Sequence, residues 1–186
     1  MLEVGCGRGD LARTLDATGY DVTAIDPVAP EGPIFRRLKL EELDVDERFD
    51  AVVASQSFHH ITNLDVALDR VLALLGGAGR LILDELAWDR LDPPTADWYE
   101  RQRRVLLAAR GDHDRPSAAE WDSHHTGNHT YSDMHAAIEA HFDGRFEWVP
   151  YLYRYLGGVA TADLEESLID SGAIQAVGFR FVGVPR

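Results

Sequence analysis

Three glycines at alternate positions, Gly5, Gly7 and Gly9, follow the apolar residues Leu2 and Val4 and lead into an amphipathic segment, in the opening stretch "MLEVGCGRGD". Only glycine lets a backbone pass this close to a ligand, and a helix that starts behind such a loop offers free N–H donors. The spacing limits what the loop can hold. A dinucleotide fingerprint has glycines at its first, third and sixth positions. Here the third glycine is at the fifth position and the sixth is Asp10, a carboxylate that would repel a pyrophosphate but tolerate a ligand with a cationic end. Cys6 sits inside the loop with no base placed beside it by the sequence, so its backbone is expected to matter more than its thiol. His59 and His60 follow the apolar run "FDAVVASQSF". Either imidazole suits a general base for a hydroxyl or amine, and the competing reading is that one of the pair packs structurally and fixes its loop. His113, His124, His125, His129 and His135 raise the question of a metal. The spacing of four between His125 and His129 would share one helical face, but Gly127 and Asn128 argue against a helix there, so no metal site is expected.

The elements that must carry these residues are legible from Met1 to about Leu86, where short β-branched runs alternate with helical patterns, the mark of repeated βαβ units and a mostly parallel sheet. Strands are expected near Leu2 to Val4, Asp21 to Ile25, Ile34 to Arg37, Ala51 to Ser55 and Arg80 to Leu86, with helices over Asp10 to Thr18 and Leu64 to Leu75. Asp10 is read as the N-cap of the first helix, and Gly76, Gly77 and Gly79 as a turn that ends the second. From Ala87 to His129 the pattern changes to a helix-like core, Asp97 to Ala109, followed by a polar loop, Arg110 to Asn128. Insertions after a strand's carboxyl end commonly cover a ligand in α/β folds. The pattern then resumes with helices over Tyr131 to Phe142 and Ala162 to Ser171 and strands near Arg145 to Val149 and Phe179 to Val184. Trp88, Trp98, Tyr99, Trp121 and the run "YLYRYL" either line an acceptor pocket or pack a core, and the sequence leaves both open.

At these residues the chain resembles the class I S-adenosylmethionine-dependent methyltransferases, whose first motif is an acid, any residue, and three glycines at alternate positions; Glu3, Gly5, Gly7 and Gly9 match it. The resemblance implies an α/β, doubly wound, Rossmann-like seven-stranded sheet, mostly parallel with an antiparallel last strand. It implies S-adenosyl-L-methionine as cofactor, held by Glu3, Gly5, Cys6, Gly7, Gly9, Asp26, Leu40, Ser55 and Phe58. Asp26, closing "DVTAIDP", falls where the family binds both ribose hydroxyls, and a carboxylate is a natural bidentate acceptor for a vicinal diol. Glu3 either orients the loop by accepting its N–H groups or reaches the cofactor's ammonium group through water. In "LKLEEL" Lys39 stands where an Asp is common, which leaves the Leu40 backbone as the adenine contact. "LLGGAGRLILDE" resembles the helix, turn and fifth strand. Glu85, Trp88, His125 and His129 are candidates for contact with the methyl acceptor, and His59 and His60 for catalysis. The exit "SQSF" lacks the Asn-Pro-Pro-Tyr type motif that recognises amide and exocyclic nitrogens. Family members carry a helix ahead of the first strand, and its absence before Met1 raises the expectation of a truncated start.

At 186 residues one domain is expected, 1–186, with 87–129 as a substrate-side cover; a chain this size buries roughly 70% of its unfolded surface. The net charge of −14, from 32 acids against 18 bases, disfavours nucleic acid as a partner. No apolar run is long enough to span a bilayer, no signal peptide is visible, and the single cysteine fits a reducing compartment, so the expected location is cytoplasmic. The expected partner is a small-molecule substrate; the sequence says nothing of oligomeric state. The expected function is methyl transfer to a small-molecule O, N or C atom. The rivals are a degenerate cofactor-binding regulatory module and a nucleotide-dependent oxidoreductase, the latter disfavoured by the glycine spacing.

Overall fold

The computed structural model describes residues 1–44, 46–110 and 115–186. Seven strands form one sheet in the order β3-β2-β1-β4-β5-β7-β6. They are β1 (Leu2–Val4), β2 (Thr23–Ile25), β3 (Phe35–Arg36), β4 (Phe49–Ser55), β5 (Leu75–Leu86), β6 (Phe142–Val149) and β7 (Gly178–Pro185). Parallel pairing joins β3 to β2, β2 to β1, β1 to β4 and β4 to β5, and the sheet ends in antiparallel pairing at its last strands. The expected α/β architecture is thus present. The strand order reverses between β1 and β4, and in open α/β sheets such a switch point opens a crevice at the carboxyl ends of the strands.

The helices are α1 (Asp10–Ala17), α2 (Leu64–Leu74), α3 (Pro93–Arg110), α4 (Trp121–His125), α5 (Tyr131–His141) and α6 (Ala162–Asp170). In α2 the buried residues Leu64, Ala67, Leu68, Val71 and Leu74 recur at helical spacing, and the Asn63 side chain caps the first turn by accepting the Val66 N–H at 3.1 Å.

Three local expectations are corrected. Gly9, not Asp10, is the N-cap of α1: it takes φ +80, and an added Cβ would lie 2.5 Å from the Phe35 ring, so neither the backbone nor the neighbour admits a side chain. Asp10 is instead the first helical residue, where its charge meets the positive end of the helix. The glycines after α2 are not a separate turn. β5 begins directly at Leu75, and between the pairs Phe49 with Leu75 and Ala51 with Arg80 the extra residues of "GGAG" bulge out of the ladder. The polar loop holds a helical turn, α4, nucleated by the buried Trp121 and preceded by Ser117, whose N–H and hydroxyl both donate to Glu120. His113 lies outside the described residues. Gly127 and Asn128 do follow the end of α4, as their helix-breaking character requires.

The chain divides into two compact units. The first comprises Met1–Glu85, Ser132–Phe146 and Arg180–Arg186 and carries most of the sheet; the second comprises Leu86–Tyr131 and Glu147–Phe179. The core of the second is aromatic: Leu86, Tyr99, Trp121, Tyr151, Leu152, Leu156 and Val177, with Trp88, Trp98 and Tyr155 packed against it. The polar atoms of Trp88, Tyr99 and Trp121 are bonded within the unit. Trp121 Nε1 donates to the Trp88 carbonyl at 2.9 Å, Trp88 Nε1 to the His129 carbonyl at 3.0 Å, and the Tyr99 hydroxyl to the Pro116 carbonyl at 2.8 Å. Of the two readings of these aromatics, the structure gives core packing for Tyr99, Trp121 and Tyr151, which are fully buried. No described helix is long and apolar enough to cross a membrane.

Candidate functional site

Within the first unit a cavity of about 430 Å³ is lined by the carboxyl ends of β1, β2 and β4, the segments that follow them and the segment after β3: Val4, Gly5, Gly7, Ile25, Asp26, Leu40, Gln56, Ser57 and His60 among others. Parallel register brings these ends level, since Val4 pairs with Ile25 on one side and with Ala54 on the other. The glycine loop is tied to β2 by the Gly5 and Cys6 N–H groups, which both donate to the Ile25 carbonyl at 2.9 and 3.1 Å. Gly5 has no room for a side chain, because a Cβ there would lie 2.3 Å from Ser57 Cβ. The loop and the β4 exit therefore touch backbone to side chain.

Asp26 is held from two sides. Its Oδ2 accepts the Gly7 N–H at 3.0 Å and its Oδ1 the Val28 N–H at 2.8 Å. Each oxygen keeps a second lone pair, so the carboxylate is aimed by the fold and still able to accept from a diol. Glu3 is buried, 3% exposed, and among the described residues its Oε2 has no hydrogen-bond partner. Burial, with the nearby charges of Asp10 and Asp26, pushes its carboxyl up to about 7. Three carboxyl groups around one loop make the site unsuited to a phosphate and suited to a ligand with a cation and a vicinal diol. Buried Cys6 has its thiol pushed up to about 11, first by burial and then by the charges of Glu3 and Asp26, which leaves it unreactive.

The segment after β3 is fixed from α2. Arg70 donates to the carbonyls of Leu40, Glu41 and Leu43, holding Leu40 in the cavity wall. Nothing in the sequence distinguished Arg70 from an ordinary helix surface residue. Gln56 is also missed by sequence reasoning: it lines the cavity at φ +57, the one non-glycine residue with positive φ among those described. That conformation costs an L-residue roughly 1–2 kcal/mol. Gln56→Gly is therefore expected to stabilise the chain by about 1 kcal/mol, read as a higher melting temperature; a lower one would show that the side chain offsets its strain with contacts.

The two adjacent histidines separate. His59 is buried, with Nδ1 2.6 Å from Glu85 Oε2, whereas His60 is exposed and lines the cavity. Phe58 is fully buried, and Ser55, half-buried, pairs with Asp84 on β5. Glu85 is fully buried and bonded within the first unit. In the second unit, His125 is buried, with Nδ1 2.8 Å from the Trp121 carbonyl, and stacks on Trp88 with ring centroids 5.9 Å apart. The cavity thus gathers Gly5, Gly7, Asp26, Leu40 and His60, and Glu3, Cys6, Ser55, Phe58 and Gly9 build the structure around it.

A family model described as "Methyltransferase domain" matches residues 1–134, and the chain belongs to that family. Similar curated proteins include the ubiquinone biosynthesis O-methyltransferases of Rhodopseudomonas palustris (strain TIE-1) and Bradyrhizobium sp. (strain ORS 278), each 31% identical over 99 residues, 46% of this chain. The match spans only 39% of those relatives' length. Among solved structures, an S-adenosylmethionine dependent methyltransferase from Mesorhizobium loti is similar over all of this chain and 90% of its own, with a TM-score of 0.60 at 15% identity. The plantazolicin methyltransferase BpumL in complex with SAH is similar over all of this chain and 75% of its own, with a TM-score of 0.58 at 16% identity. At such identities the likeness is one of fold.

Proposed function

We propose that the chain binds S-adenosylmethionine in the cavity at the switch point and transfers its methyl group to a small-molecule acceptor. The observation that carries this is the pairing of the oriented Asp26 carboxylate with the buried, unpartnered Glu3 oxygen beside the glycine loop. One group suits a ribose diol and the other an ammonium. The sulfonium supplies an already activated methyl group. The chain's own work is then binding and orientation: Asp26 accepts from the ribose hydroxyls, the Leu40 backbone meets the adenine, and Glu3, ionised by a neighbouring cation, reaches the amino acid end through water. In-line displacement draws most of its acceleration from holding the acceptor at the right distance and angle. His60, in the cavity wall, is the group positioned to take a proton from a hydroxyl acceptor. The curated relatives named as O-methyltransferases favour oxygen as the accepting atom.

The chain is read as one methyltransferase domain, with Trp88 and His129 kept as candidates for acceptor contact. A cytoplasmic site of action fits the lone, buried Cys6 thiol. Calorimetry with S-adenosylhomocysteine and with NAD tests the cofactor: binding of the first supports the reading, and binding of NAD alone overturns it. Methyl transfer to a phenolic acceptor panel tests the reaction, and cofactor binding with no transfer across a broad metabolite screen would leave a regulatory module instead.

A further inference from the structure

The end of β5 closes on the exit of β4 through one buried carboxylate. Ser55 pairs with Asp84, which sets Glu85 one residue past the last rung of the ladder, level with the chain as it leaves β4. From there the hydrogen bonds run in sequence. The Asp84 carbonyl accepts the Gln56 N–H at 3.0 Å. Glu85 Oε1 accepts the Ser57 and Phe58 N–H groups at 2.8 Å each, and Glu85 Oε2 lies 2.6 Å from His59 Nδ1. Four consecutive residues are thus held by two. The segment they fix is a wall of the cavity, since Gln56, Ser57, His60, Ile61 and Thr62 all line it, and it includes the strained φ at Gln56. Glu85 is fully buried, so its charge depends on these donors in place of water.

We propose that Glu85 is a positioning residue: as a carboxylate it clamps the β4 exit loop into the cavity wall and fixes His59 as the tautomer protonated on Nδ1. Oε1 gives its two lone pairs to the two amides, and Oε2 is left facing His59 Nδ1. As a carboxylate Oε2 only accepts, so Nδ1 presents the N–H and Nε2 is left as the acceptor; a carboxylic acid donating from Oε2 to a bare Nδ1 is the competing arrangement, and it puts the ring proton on Nε2. Glu85 and His59 satisfy each other and serve the loop, and contact with the methyl acceptor falls to other residues. The clamp's effect on cofactor affinity rests on the proposed function; the tautomer does not.

The test uses the full chain with Glu85→Gln and Glu85→Ala. Glutamine keeps an oxygen for the two amides but turns an NH₂ toward His59, so it separates the clamp from the tautomer. Long-range ¹⁵N correlation spectra of the imidazoles, recorded well above the histidine titration range, are expected to show His59 protonated on Nδ1 in the native chain and on Nε2 in Glu85→Gln. S-adenosylhomocysteine affinity is expected to fall five- to tenfold in Glu85→Ala and by less in Glu85→Gln, with circular dichroism showing both folded. A native His59 protonated on Nε2, or a folded Glu85→Ala that binds as the native chain does, overturns the proposal. If Glu85→Ala does not fold, the tautomer exchange in Glu85→Gln decides it. If the native chain binds no S-adenosylhomocysteine, the cofactor reading fails and the spectra still decide the role of Glu85.

Discussion

Asp26→Ala is expected to weaken S-adenosylhomocysteine binding by about 1–3 kcal/mol, the range for removing a charged hydrogen-bond acceptor from a ligand's donors. The upper part of that range is the better expectation, because the residue does two things at once. Its carboxylate is the acceptor offered to the ribose, and its Oδ2 also holds the Gly7 N–H while Oδ1 holds that of Val28. Truncation frees the glycine loop on one side and the turn after β2 on the other, so the bound state must also re-order the backbone. Asp26→Asn is expected to lose less, since its amide oxygen can still accept one of the two N–H groups. Calorimetry on both variants, with melting curves to show that each is folded, checks the ordering; an affinity unchanged in Asp26→Ala removes the residue from the site.

Glu3→Gln is expected to stabilise the chain at pH 8 and to weaken its hold on the cofactor. The carboxyl stands at about 7 in the fold against its ordinary 4.5, chiefly because burial penalises its charge. Below pH 4.5 it is protonated whether the chain is folded or not, and its burial carries no charge penalty. Between 4.5 and 7 the unfolded chain has lost the proton that the native chain keeps, so native stability falls as pH rises and levels off above 7. The penalty above pH 7 is on the order of 3 kcal/mol at about 1.36 kcal/mol per pKa unit. A neutral amide avoids that charge, so the gain of Glu3→Gln over the native chain should grow from about pH 5 to about pH 8. A cationic ligand reverses the balance by favouring the ionised carboxyl: native affinity should rise with pH up to about 7, and binding near pH 6 should release a proton, visible as a buffer-dependent calorimetric heat. A stability difference that does not vary with pH would remove Glu3 as its source.

The first strand, the glycine loop and Asp26 were legible because their signals are local. Leu2 to Val4 reads as a strand from its own residues, and the alternate glycines followed by Asp10 disfavour a pyrophosphate by local spacing and charge. The errors were also local. Asp10 resembles an N-cap by type, yet the Phe35 ring against Gly9 decides where α1 begins, and that contact joins residues far apart in the sequence. The GGAG stretch has the composition of a turn, but its pairing with β4 draws it into a bulged strand.

The acidic first motif, the βαβ alternation and the absence of phosphate-binding character were fixed by residue type and spacing, which act within a few residues of each other. The contacts of Glu85, His59 and Arg70 and the backbone angle of Gln56 are set only by the tertiary structure. Glu85 reaches amides 27 and 28 residues away, and Arg70 reaches carbonyls up to 30 residues away. A buried carboxylate declares its partners through the strand register that brings them level, and register is a property of the assembled sheet.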